Sequence, residues 1–232
     1  MRLHRFYINQ KIQGGKLRIE DSELLNQWAR VFRLTAGDKA IIFDGSGFEY
    51  EAEFELLTRK EAILIIIGEK KEIARSEIEL HVFQSIIKKD NFELVVQKCT
   101  ELGVSAFHPI ISERSEKKDL NIERLVKIAT EASEQSGRGE VPEIFEPTEL
   151  SFAVKNFEGK IFAFDFEAKN ISEKISNLKN SKKLGIFIGP EGGWGESDLK
   201  IFGDNKVEVF SLGKQVLRAE TASIVASTLF LI

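Results

Sequence analysis

An α/β fold with a mainly parallel sheet, preceded by a small β-barrel, is what this sequence predicts. Three observations carry the expectation. Up to Gly68, short apolar runs alternate with glycine-bearing turns and little helix is legible, the pattern of a small barrel. Glu69 to Ser76 is charged and has no apolar period, as a domain boundary would. From Ile78 onward, apolar runs of strand length alternate with stretches of helical spacing, which predicts a sheet covered by helices on both faces. Domains are expected over residues 1–72 and 73–232.

His4 to Ile8 reads as the first strand and Gly14-Gly15 as a turn. Asp21-Ser22 caps a short helix reaching Trp28. Arg30 to Leu34 alternates polar and apolar residues, which predicts a half-buried strand. Ala36-Gly37-Asp38 then turns the chain into strands at Lys39 to Phe43, Phe48 to Leu56 and Glu61 to Gly68. Ile78 to Phe83 is the next strand. Asp90-Asn91 opens a helix with Phe92, Val95, Val96, Cys99 and Leu102 on one face, stopped at Gly103. Val104 to Ile111 is a strand, and Asn121 to Gln135 a helix with Leu125, Ile128, Ala129 and Ala132 inward. Strands at Lys160 to Asp165, Leu184 to Ile188 and Val207 to Phe210 are separated by helices at Ile171 to Leu178 and Glu196 to Phe202. A helix from about Glu220 closes the chain.

Hydrophobic content of 42% with 30% charged residues is that of a soluble globular protein. No apolar run approaches the roughly twenty residues of a membrane span. The start, MRLHRFYINQ, lacks an apolar signal core. The single cysteine, Cys99, excludes an internal disulfide and fits a reducing, cytoplasmic setting. His4, His81 and His108 are scattered and give no zinc-ligand spacing, so no metal is expected. The net charge of −4 argues against a broadly sticky nucleic-acid binder. Yet residues 1–33 carry seven Lys/Arg against three acids, and residues 34–72 five against nine, so a local basic patch has room to form.

The chemistry concentrates between Leu184 and Ala222. One apolar run empties into Gly189-Pro190-Glu191-Gly192-Gly193-Trp194-Gly195, and a second into Ser211-Leu212-Gly213-Lys214-Gln215-Val216-Leu217-Arg218. Loops after strand C-termini are where open α/β sheets place ligands. The first loop reads as an anion cradle or as a tight turn serving topology alone. It meets neither nucleotide fingerprint, and Glu191 would repel a phosphate, so a ligand with donor groups or positive charge suits it better. In the second loop, Val216 and Leu217 could flank a flat ring. Arg218 and Glu220 are either chemical groups or the ordinary charged start of a helix.

Ile188 to Gly193 and Leu212 to Ala222 together resemble the signature of the RsmE family of 16S rRNA (uracil-N3)-methyltransferases, of the SPOUT superfamily. Lys98 to Val104, Pro109 to Ser115, Glu131 to Arg138, Arg5-Phe6 and Arg33 to Asp38 fit the same resemblance, which runs over nearly the whole chain. Three departures stand out. Asn26 to Arg33 lacks the family's histidine, Gly195 stands where Ser or Thr usually caps the next helix, and Val216 replaces isoleucine.

The resemblance implies a trefoil knot around residues 185–222, an N-terminal PUA-like barrel, a homodimer, and methyl transfer from S-adenosyl-L-methionine to N3 of a uridine in 16S rRNA. Carried over residue by residue, the cofactor would lie against Phe164, Ile188, Gly189, Pro190, Glu191, Gly192, Gly193, Leu212, Gly213, Val216 and Leu217. Arg218 would stabilise the uracil anion, with Glu220 orienting it or accepting a proton. Arg5, Arg33, Lys88, Lys89, Arg114 and Arg138 would grip 16S rRNA, free or within the small ribosomal subunit. The alternatives are a related SPOUT enzyme acting on tRNA or a ribose oxygen, and a non-catalytic RNA-binding assembly protein.

Overall fold

The structure, a computed structural model, describes residues 3–68, 71–72, 76–115, 120–173, 175 and 181–232. The chain forms two compact units, Met1–Arg75 with Ser133–Glu140, and Ser76–Ala132 with Val141–Ile232.

In the first unit, strands β1 (His4–Tyr7), β2 (Lys16–Ile19), β3 (Lys39–Phe43), β4 (Phe48–Leu57), β5 (Ala62–Ile66) and β6 (Lys71–Glu72) form one sheet. Its order is β1-β3-β4-β5-β2, with β6 on β4. The β1–β3 pair is parallel and the others antiparallel. The two-residue period of the strands sends Ala40, Ile42, Ala52, Phe54, Ala62 and Leu64 into one core with Phe6 and Trp28. Helix α1 (Ser22–Asn26) starts where the Asp21 carboxylate accepts the N–H groups of Glu23 and Leu24.

The strand expected over Arg30 to Leu34 does not form. A wide, π-helical turn over Gln27–Val31 continues α1 instead. Trp28 decides this. Its indole is fully buried, edge-on to Phe6 and Phe54, and the turn that sends it inward leaves Val31 70% exposed. The polar/apolar alternation there was coincidental, and Arg33 ends the turn at a left-handed φ of 55°. The four residues of β2 are too few for a period to show in sequence.

The second unit holds β7 (Glu79–Ser85), β8 (Ala106–Ile111), β9 (Glu143–Ile144), β10 (Thr148–Glu149), β11 (Lys160–Asn170), β12 (Lys183–Ile188) and β13 (Glu208–Ser211). Around them lie α2 (Lys89–Leu102), α3 (Ile122–Ser136), α4 (Leu150–Asn156), α5 (Glu196–Asp204) and α6 (Ala219–Leu231). The strand order is β10-β8-β7-β12-β11-β13, with β9 on β8. Every pairing among the described residues of this sheet is parallel.

Both faces are covered, which is why the central strands read as unbroken apolar runs. Leu184, Ile186 and Ile188 of β12 point into a core shared with Val95, Val96, Ala226 and Phe230 of α2 and α6. Phe187 points the other way, into a core shared with Leu150 and Phe202 of α4 and α5. Gly185 is required on that second face, because a Cβ there would stand 2.9 Å from the Phe83 ring.

Strand β11 runs past the expected end at Asp165 to Asn170, with its register against β13 broken between Phe164 and Lys169. Of the helix expected over Ile171 to Leu178, Ile171–Glu173 is a 3₁₀ turn, and residues 174 and 176–180 lie outside those described. The same holds for residues 69–70 and 73–75 of the expected boundary.

Candidate functional site

Strand β11 lies between β12 and β13 and pairs in parallel with both. All three C-termini therefore leave the same edge of the sheet. The loops after β12 and β13, with the irregular Asp165–Ala168 segment of β11, enclose a cleft of about 820 Å³. That is within the usual range for a small-molecule site. Phe164, Ile188, Gly189, Pro190, Glu191, Gly192, Gly193, Leu212, Gly213, Val216 and Leu217 all line it, and so do Arg218 and Arg114.

The glycine loop is shaped from three directions. The Gly193 N–H donates to the Pro190 carbonyl at 2.9 Å, and Gly193 takes a left-handed φ of 68° that other residues adopt at a cost. Gly189 lies against the Trp194 indole, where a Cβ would come within 3.2 Å of the ring. The buried Trp194 donates its Nε1–H to the Phe164 carbonyl at 2.9 Å and meets Phe202 edge-on at 4.9 Å. This tryptophan ties the first loop to β11. Its place directly after the glycine run was the available signal for it in the sequence.

The start of α5 is held by a segment after β8. The buried Asp198 carboxylate accepts the N–H of Gly195 at 3.0 Å and that of Glu113 at 3.2 Å. The Ser197 N–H and hydroxyl donate to the Glu113 carboxylate at 3.0 and 2.5 Å. Those bonds hold Glu113 below the usual carboxylate range. The cap that Gly195 cannot supply is thus provided by Glu113.

The charge on the cleft wall settles the choice of ligand sign. Asp165, Glu167, Glu191 and Glu196 line it against Arg114 and Arg218. Four carboxylates against two cations favour a ligand carrying positive charge and disfavour the anion-cradle reading.

Not every expected residue meets there. Arg218, exposed, stands at the N-cap of α6 and on the wall. Glu220 is not on the wall. It is buried in the first turn of α6, where the helix dipole favours a carboxylate, and its Oε2 has no hydrogen-bond partner among the described residues. Arg114 donates its Nη1–H to the Gly192 carbonyl at 2.9 Å, a contact with the glycine loop.

Arg5 and Arg138 lie in the first unit and are engaged there. The Arg5 guanidinium pairs with Glu49, both side chains little exposed, and donates to the Arg138 carbonyl at 3.1 Å. Arg138 is half-buried, and burial lowers it to about 10, still protonated at neutral pH. Arg33 is exposed. Lys88 and Lys89 are exposed at the start of α2, with Lys89 3.8 Å from Glu93.

A model of an RNA methyltransferase domain matches residues 74–231, and one of an RNA methyltransferase PUA domain matches residues 29–67. The ribosomal RNA small subunit methyltransferase E of Rickettsia conorii is 30% identical over 97% of this chain and 94% of its own length. The protein of that name from Bacillus subtilis is 29% identical over the same shares. A Legionella pneumophila structure with the bound cofactor S-adenosyl-methionine superposes with a TM-score of 0.91 at 27% identity, covering 99% of this chain and 97% of that one. A ribosomal RNA small subunit methyltransferase E from Neisseria gonorrhoeae, bound to S-adenosyl methionine, gives 0.89 at 26% identity, covering 97% and 95%.

Proposed function

We propose, from the premise that this chain belongs to the ribosomal RNA small subunit methyltransferase E family, that it transfers a methyl group from S-adenosyl-L-methionine to N3 of a uridine in 16S rRNA. One observation carries the reading. Two glycine-bearing loops, separated in the chain by α5 and β13, meet in a single acidic-walled cleft with Arg114 and Arg218 on its wall.

The residues present fit this cofactor. Leu212, Val216 and Leu217 offer apolar surface for a flat ring, the glycines allow close backbone approach, and the carboxylates suit a sulfonium cation. The cofactor, when bound, supplies an electrophilic methyl group. The protein has to place the uracil N3 in line with it. Uracil gives up its N3 proton to solvent in the reaction as the N3–methyl bond forms, and the negative charge that develops is shared with its carbonyl oxygens. Arg218, on the cleft wall, is the group to stabilise that charge. Glu220, buried behind the wall, is assigned the turn that carries Arg218 and no contact with the base.

The target uridine must be unpaired or flipped out, because pairing hides its imino group. We read residues 1–72 as the RNA-binding module, residues 73–232 as the methyltransferase domain, and the active form as a homodimer acting on RNA or on the small subunit. Arg218→Ala tests the assignment. It should lower kcat about 100-fold with cofactor affinity kept; near-normal turnover at saturating RNA would remove Arg218 from the chemistry.

A further inference from the structure

The segment after β8 is hydrogen-bonded to the glycine loop and to the helix start that follows it. It also carries hydrogen bonds of its own. The Ser112 N–H donates to the Ser115 hydroxyl at 3.1 Å, that hydroxyl donates back to the Ser112 carbonyl at 2.9 Å, and the Ser112 hydroxyl bonds Ser85 at 3.0 Å. From this base two adjacent side chains reach the glycine loop. Arg114 bonds the Gly192 carbonyl in its middle. Glu113 covers its end so closely that a Cβ on Gly195 would lie 2.1 Å from the Glu113 Cδ. The Glu113 N–H shares the Asp198 carboxylate with the Gly195 N–H. Strand β8 is separated from β12 by β7, so these contacts cross the sheet edge rather than follow the chain.

We propose that Glu113 and Arg114 are positioning residues that clamp the cofactor loop, and that Gly195 leaves the room in which the Glu113 carboxylate reaches Ser197. The inference rests on the cofactor reading above. It gives Arg114 a cofactor-side role in place of RNA contact. Removing either side chain frees one end of the loop to leave the conformation that lines the cleft, so cofactor affinity falls without loss of RNA affinity.

The test titrates S-adenosyl-methionine calorimetrically into the native chain and into Glu113→Ala, Gly195→Ala, the double variant and Arg114→Met. Glu113→Ala and Gly195→Ala should each weaken binding about tenfold and the double variant no further, because both take the Glu113 carboxylate off Ser197. Arg114→Met should weaken cofactor binding about tenfold and leave affinity for a 16S rRNA fragment unchanged. The clamp is overturned if either single variant at Glu113 or Gly195 binds like the native chain, or if the double variant shows the product of the two losses. It is equally overturned if Arg114→Met loses RNA affinity while keeping the cofactor. A native chain that binds no S-adenosyl-methionine would sink the cofactor reading alone. The clamp is then read from thermal midpoints, which should fall equally in Glu113→Ala, Gly195→Ala and the double variant; additive falls overturn it.

Discussion

Trp194→Phe isolates the bond that ties the glycine loop to the sheet. Phenylalanine keeps a ring against Phe202 and Gly189 but has no N–H for the Phe164 carbonyl. That carbonyl sits where the register of β11 breaks, beside a residue 6% exposed, so little water reaches it. An unpaired buried carbonyl costs about 1–3 kcal/mol. In a chain of this length, about 2 kcal/mol corresponds to roughly 4–8 °C in the thermal midpoint of the unit concerned. Phe164 and Gly189 both line the cleft, so the affected loop is the cofactor loop. Thermal unfolding with and without S-adenosyl-methionine should show a lower midpoint and a smaller cofactor-induced rise for Trp194→Phe. Identical midpoints and an identical rise would show that the indole bond does not hold the loop.

His108 gives a pH dependence. Burial first, then the charges of His81 and Lys183, lowers it from 6.5 to about 3, while Phe83 and Phe145 stack on it. Below pH 6.5 the unfolded chain takes up a proton that the folded chain refuses, so stability falls as pH drops from 6.5 toward 3. The loss at pH 5 is about 2 kcal/mol, read from urea midpoints, and His108→Phe should flatten the slope; an equal slope in that variant would refute it. Arg5→Ala leaves the little-exposed Glu49 with Lys71 at 3.5 Å as its cation among the described residues, and should cost about 3 kcal/mol with RNA affinity unchanged. A loss of RNA affinity at unchanged stability would return Arg5 to the RNA surface. Burial pushes the Cys99 thiol up to about 12, so thiol reagents should modify it only at the rate of unfolding, measured by mass spectrometry in rising urea; fast modification without denaturant would contradict this.

Glycine density after an apolar run singled out the first loop but left a plain turn open, and the family resemblance, not that density, turned the two loops into a cofactor site. Every cofactor residue expected from the resemblance lines the one cleft. The place of Trp194 after the glycine run was a signal for the residue but not for its role, because its partner is a carbonyl 30 residues upstream. The arginines show the same limit. Residue type gives charge but not neighbours: Arg5 pairs with Glu49, and Arg114 bonds the Gly192 carbonyl. Spacing likewise placed Glu220 beside Arg218, whereas the helical turn sends the two side chains to different surroundings, one exposed and one buried. Period failed at Arg30 to Leu34, where burial of one large ring outweighed a five-residue alternation. Strand order is not encoded in period at all. That β11 lies between β12 and β13, the fact that creates the cleft, emerges only in the folded chain.

Nucleoside mass spectrometry of 16S rRNA from cells lacking this chain tests the central claim most directly. The account predicts loss of N3-methyluridine from 16S rRNA, unchanged tRNA nucleosides, and restoration by the native chain but not by Arg218→Ala. An unchanged 16S profile, or a loss confined to tRNA or to ribose methylation, would contradict it.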